Sequence, residues 1–560
     1  MRPPRLSIVT PVFNPPPDVL RATLDSVRAQ TSGNWEHWLV DDGSTASHVR
    51  PMLEEAAAAD SRVHVEFRSE QGGIVAATND AVVRSQCDFV AFLDHDDMLA
   101  PAAVDAVTNT LAREPDCDYL YTDEDKIDLA GTHSDPFLKP DWSPERMRSQ
   151  MYTCHLSVVR RSLLDEIGGL RTGYDGSQDW DVVLRVTERA RHVVHVPEVL
   201  YHWRVHSTSV ALDPMAKPYA HPAGRRAIQD HIDRTGLQVE VVEYEGLPGS
   251  NRILPRLREE PLVSIIIPTA GRYRVVHGMR TNLVVHAVHS IVERTTYGNY
   301  EIVVVADSDT PDATIAELHE LAGERLRVVP FDRPFNYSAK INVGAVHARG
   351  EYLLTLNDDI EVLARGWKKR GLDDVGPSDW LECFLGYATH PDIGSVGAKM
   401  YLGDRRLQHV GIISTSASVP AHPYRGFHGN FVGYVGNALM PCNYIAVTGA
   451  CLMTRKAVFD EVGGMSAAFP VNYQDVDYGL KLRGAGYRTV YNPEVELFHF
   501  ESSSRAPDVE ESERALLRAR WASILAHDPY YHPGFVEHYA DFVHPHYTND
   551  GRFIATSPAA

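Results

Sequence analysis

An ordered set of segments occurs twice along the 560 residues, and any fold for this chain must accommodate both copies. LSIVTPVFN (6–14) returns as LVSIIIPTAG (262–271), WEHWLVDDGS (35–44) as YEIVVVADSD (300–309), and FVAFLDHDD (89–97) as YLLTLNDDI (352–360). LLDEIGGL (163–170) then returns as VFDEVGGM (458–465), and SQDWDVVLRV (177–186) as YQDVDYGLKL (473–482). The order is kept while the spacing grows, which marks a duplication rather than chance. Most of the growth, about thirty residues, falls in the second copy between its acid cluster and its Gln-Asp pair.

Each copy alternates short apolar runs with helical stretches, the pattern of right-handed βαβ units. Phe89 to Leu93 is apolar throughout, as suits a strand covered on both faces. A helix is expected from Asp18, acting as N-cap, to Gln30. The fold class is therefore α/β: two tandem Rossmann-like domains with mostly parallel central sheets. We expect domain one over 1–210, a structured linker of a helix and a hairpin over 211–260, domain two over 261–505, and a helical extension over 506–560. The tail rich in Tyr and His is expected to cover domain two.

Bulk properties bound the function. A net charge of −21 argues against nucleic acid, whose phosphates need a positive field. No apolar run is long enough to span a bilayer, and the N-terminus has no signal-peptide core. Six cysteines without a CxxC pair predict reduced thiols and a cytoplasmic protein.

The chemistry centres on the strand ends. Asp94, His95, Asp96 and Asp97 follow the first apolar run; Asn357, Asp358 and Asp359 follow its repeat. Carboxylates this close repel one another unless a cation sits among them, and oxygen donors suit Mg²⁺ or Mn²⁺. The alternative is an Asp-rich turn capping a helix near Pro101; a second copy of the cluster argues against it. In parallel sheets, ligands bind beyond the C-terminal ends of strands. Other polar stations there are Asn14 after Thr10-Pro11, Asp41-Asp42, and Gln178-Asp179. A nucleotide-sized cleft, a metal-binding DxD and a remote acid together fit glycosyl transfer from a nucleotide sugar, with the remote acid as base.

SIVTPVFN, VDDGS, FLDHDD and QDWD resemble, in this order, the GT-A domains of family 2 inverting glycosyltransferases. More narrowly, TDEDKID (122–128), FLKPDWSPE (137–145), FNYSAKIN, NDDIEV, VGAKMY, QHVG and VTGACLMTRK resemble tandem O-antigen or rhamnan-type enzymes. The resemblance implies one Mn²⁺ or Mg²⁺ per domain. Asp179 and Asp475 would be the bases. Thr10, Pro11, Asn14, Asp42 and Asp94 would line the first donor site, and Pro268, Asp307, Asn357 and Asp358 the second. Asp96 and Asp359 would bind metal, joined by His206 (preferred over His202) and by His499. Trp180 would either stack on an acceptor sugar or sit in the core. It further implies nucleotide-sugar donors (dTDP-rhamnose or a UDP-sugar), a lipid-linked or oligosaccharide acceptor, and peripheral contact with the inner membrane face. The alternatives are one active domain beside a glycan-binding or scaffolding one, or a sugar-nucleotide nucleotidyltransferase. The last would want a glycine-rich basic loop after strand one, where Asn14 and three prolines stand.

Overall fold

A computed structural model describes residues 5–205, 218–245, 247, 249–370, 376–415, 420–500, 511–535 and 540–543. Two large sheets organise it. In strand order, the first runs Val63–Phe67, Trp35–Asp41, Leu6–Val12, Phe89–Phe92, Ser157–Arg160, Cys117–Ile127, His192–Arg204 and Met98–Leu99. The second repeats it strand for strand: Leu326–Phe331, Tyr300–Asp307, Val263–Thr269, Tyr352–Leu356, Cys451–Arg455, Ile393–Tyr401, Arg488–His499 and Ile360–Val362. The first four strands of each are parallel, joined by crossover helices, and this is the Rossmann-like α/β architecture expected. Beyond them antiparallel pairs enter, at Phe89↔Arg160 and Tyr352↔Arg455.

The apolar runs earn central positions by burial. Leu6, Ile8, Val9, Val90 and Ala91 are fully buried, as are Ile265, Ile266, Leu353 and Leu354. The first helix spans Pro17–Arg28. Pro17 occupies its first turn, where a missing N–H costs nothing, so Asp18 lies inside the helix beside its positive end rather than capping it. The paired glycines at 168–169 and 463–464 take positive φ, and a Cβ on Gly169 or Gly464 would sit 2.7 Å from Asn79 or Asn342 Oδ1. Those asparagines clamp the chain there: each bonds main chain in both directions, at Leu170 and at Met465.

Between the sheets lie a helix, Ala220–Thr235, and a hairpin of Val239–Glu243 with Asn251–Pro255. The extra residues of the second copy build short strands and a 3-10 turn over 402–450 that face the first half. Ser143 Oγ donates to Asn443 Oδ1 at 2.8 Å, and Tyr434 Oη accepts from Leu138 N at 2.9 Å. The helix Glu511–Ala526 packs on the second half, through Leu517 and Leu525. The tail beyond it differs from expectation. It bridges both halves, because His532 Nε2 is drawn to buried Asp123 at 2.7 Å and Asp141 N donates to Pro529 O. All six cysteines are free thiols. Among the described residues, no helix is long and apolar enough to cross a membrane.

One electrostatic joint between the halves is Glu145, fully buried, 3.2 Å from Arg148 and 3.3 Å from Arg488. Burial alone would push its carboxyl up, but Arg488 and Arg148 outweigh it and hold the group at about 2. With the folded value below the unfolded one, this stabilisation is present above the ordinary glutamate range and lost as pH falls toward 2. Glu145→Ala leaves the buried Arg148 without its carboxylate and Arg488 with only the exposed Asp392, 3.5 Å away, and is expected to cost about 3 kcal/mol. Urea unfolding of the full chain measures it; an unchanged midpoint would remove this pair from the account of the interface.

Candidate active site

The first sheet's strand ends open onto a cavity of 570 Å³. Pro11, Asp42, Asp94, Asp96 and Asp179 all line it, so residues from four separate segments meet there. Asp179 lies in the first turn of the helix Gln178–Thr187 and accepts from Trp180 N at 2.8 Å. Burial raises its pKa, and the charges of His155 and Asp94 are both close enough to act on it. Trp180 is mainly core: Nε1 donates to Met147 O at 2.9 Å, and only 6% of the residue is exposed.

Other predicted donor-site residues are engaged in the scaffold. Thr10 is fully buried, its hydroxyl 3.0 Å from His37 Nε2. Asn14 takes positive φ and stitches two loops, accepting at Oδ1 from Thr45 N and Ala46 N. Asp42 accepts from Gly72 N and Gly73 N, both at 2.8 Å, and lies 3.0 Å from Arg68 Nε.

The possible metal ligands of the first half include one that sequence reasoning missed. Asp94, Asp97 and His155 offer ligand atoms within 4.8 Å of one another, while Asp96 faces the same cavity without joining that group. Asp97 is raised well above an ordinary aspartate by burial and by the charges of Asp96 and Asp94. It is steadied by Tyr201 Oη at 2.5 Å and Arg204 N at 2.8 Å. Burial disfavours the imidazolium of His155, but Glu124, Asp97 and Asp94 outweigh it and raise the group to about 9. His155 precedes the strand Ser157–Arg160, and nothing in CHLSVV by itself distinguishes it. His206 lies outside the described residues. His202 is turned to Asp125, 2.6 Å away.

In the second half the predicted ligands meet. Ile360 pairs with His499, which sets His499 Nε2 3.2 Å from Asp359 Oδ1 and 3.4 Å from Asn357 Nδ2. The register Met98↔His202 puts Trp203 at the corresponding place in the first half. Asp358 accepts from Thr269 Oγ1 at 2.6 Å, and burial together with the charge of Asp359 pushes it up to about 7. The Asp359 carboxylate beside an imidazole nitrogen is a donor pair of the kind that suits a divalent ion. Asp475, likewise raised by burial, accepts from Gly449 N at 3.0 Å. Asn357 N donates to the adjacent Ala450 O at 2.9 Å, so one turn holds both the acid cluster and the remote aspartate.

Asp307 and Pro268 also lie on the strands that end at this site, Pro268 buried beside Val305. Asp307 is 2.5 Å from Lys340 Nζ, which also donates to Thr269 O at 3.0 Å. Lys340 is 1% exposed, a buried cation unmatched in the first half, where the Asn79–Asn342 correspondence puts Ala77. It stands within FNYSAKIN, though nothing in that run marks it as facing an acid.

Comparison with known proteins places this geometry. The description "Glycosyl transferase family 2" matches residues 7–168 and again 264–373. The uncharacterized protein y4gI of Sinorhizobium fredii is 39% identical over 553 residues, covering 96% of this chain and 58% of that protein. The O-antigen biosynthesis protein RfbC of Myxococcus xanthus is 37% identical over 536 residues, covering 95% of this chain and 40% of that protein. The chain thus spans about half the length of these relatives. Among solved structures, S. aureus TarS 1–349 in complex with UDP-GlcNAc aligns over 41% of this chain and 66% of its own, at 17% identity and a TM-score of 0.34. Each half of the chain thus carries a region that matches glycosyl transferase family 2.

Proposed function

We propose that the chain transfers sugars, with inversion, from nucleotide-sugar donors to a growing cell-envelope polysaccharide, using one active site in each half. The observation that carries this reading is the convergence of Asp94, Asp96 and Asp179 on one cavity, from segments far apart in sequence. Kinship with a protein named for O-antigen biosynthesis supports the envelope polysaccharide as product. The donor is dTDP-rhamnose or a UDP-sugar, and the acceptor lipid-linked or oligosaccharide, met at the cytoplasmic face of the membrane by peripheral contact.

The residues divide the work as follows. Asp179 in the first half, and Asp475 in the second, accept the proton of the acceptor hydroxyl while its oxygen attacks the anomeric carbon. The bond from that carbon to the diphosphate breaks on the opposite face, and the nucleoside diphosphate leaves, so configuration inverts. The raised pKa of each aspartate, caused by burial, makes it a better proton acceptor than a solvated one. Asp94 and Asp96, which face the cavity, would hold a Mn²⁺ or Mg²⁺ ion in the first half, with the charged His155 beside them, and Asn357, Asp359 and His499 would hold one in the second. When bound, such an ion supplies charge neutralisation for the departing diphosphate. Asp42 and Asp307 lie where a strand-end acid meets base or ribose. Asp307 shares its place with Lys340, which adds a fixed positive charge to the second donor site.

Asp179→Asn and Asp475→Asn are each expected to lower transfer in their own half by roughly 10²–10⁴-fold while nucleotide-sugar binding persists. Acceptor-dependent release of UDP or dTDP measures this, and parental rates in both variants would refute the base assignment. Loss in only one variant would leave the other half as a binding domain. Chelation should abolish transfer, with Mn²⁺ restoring it. In an Asp179→Asn background, His499→Ala should raise the Mn²⁺ concentration giving half-maximal turnover; an unshifted titration would take His499 out of the ion's shell.

A further inference from the structure

A second cavity, of 460 Å³, opens between the halves and shares Cys154 and Trp203 with the wall of the first. Its lining is aromatic and comes from three parts of the chain: Phe137 and Trp203, then Tyr424, Phe431 and Tyr434, then Phe542. The tyrosines are locked. Tyr434 Oη donates to Pro136 O at 3.2 Å, and Tyr424 Oη donates to Asn437 Oδ1 and accepts from Tyr434 N.

Of the charged groups at its edge, Asp541 accepts from Tyr424 N at 3.0 Å and the others meet an opposite charge within the protein. Glu124 is 3.0 Å from Lys139 Nζ, and Asp125 meets His202 at 2.6 Å and His133 at 2.8 Å. Lys126, the one cation among the described lining residues, is 3.1 Å from Asp135. Nothing there calls for a phosphate or a carboxylate. Rigid aromatic faces among charge-balanced carboxylate oxygens suit a ligand with apolar C–H faces and many hydroxyl donors. The volume falls within the usual span of ligand sites, about 300–1,000 Å³.

We propose that this cavity is an acceptor subsite, holding the already-built part of a neutral oligosaccharide while its terminal hydroxyl lies beside Asp179 in the first cavity. The inference rests on the glycosyl-transfer reading and deepens it. Cys154 and Trp203 line both cavities and so set them side by side, and on this proposal a glycan several sugars long reaches past them into the second while a short one fills only the first. Because the second half supplies much of the wall, the first active site reads acceptor length through its neighbour.

Saturation-transfer NMR on the full chain, with a rhamnose disaccharide and a rhamnose octasaccharide as probes, tests this. The octasaccharide is expected to bind roughly tenfold more tightly, equivalent to about 1.4 kcal/mol. Val435→Trp, which fills the cavity from a residue 40% exposed, should erase that advantage and leave disaccharide and nucleotide binding unchanged. Phe137→Ala should do the same by removing a face, and thermal melting of both variants checks that they fold. Equal affinity for the two lengths overturns the proposal, as does an advantage that survives both substitutions. Tighter binding of a uronic-acid octasaccharide than of the neutral one also overturns it, as does failure of both rhamnose probes to bind a chain that still turns over donor. Absence of turnover with every donor would instead count against the glycosyl-transfer reading itself.

Discussion

The repulsion between neighbouring carboxylates at the tips of two central strands shapes the rest of this molecule. Asp94, Asp96 and Asp97 crowd one tip, Asp358 and Asp359 the other, and burial, with the neighbouring charges adding to it, pushes Asp97 and Asp358 up. Such clusters persist only where main chain, a cation or a proton offsets the repulsion. The fold supplies a hydroxyl and a main-chain donor to Asp97 and a hydroxyl to Asp358, and leaves Asp94 and Asp96 facing the first cavity.

Charge is also what joins the halves. Asp123, Glu124 and Asp125 occupy consecutive positions of one strand, and each meets a basic partner from elsewhere: His195 and His532, Lys139 and His155, His133 and His202. Glu145 reaches Arg488 across the interface. TDEDKID and FLKPDWSPE thus serve in the scaffold between the first cavity and the interface. His155 belongs to both: it is held by Glu124 and adds positive charge beside Asp94 and Asp97.

The two sites are not copies in detail. The second has a histidine on the strand beside its acids and a buried lysine against Asp307; the first has Trp203 and Ala77 at those places and takes its histidine from another strand.

The duplicated strand order, the acids on strand ends and the remote aspartates were legible from residue pattern alone, because burial on both faces and carboxylate crowding leave local signatures. Asp359 with His499 was also foreseen, since both stand at the ends of recognisable strands. His155, Lys340 and the aromatic interdomain cavity were not, and Thr10 and Asn14 proved to be tied into the scaffold. Whether a side chain faces a ligand or a neighbour depends on strand register and on contacts between segments hundreds of residues apart, and those are settled only when the chain packs.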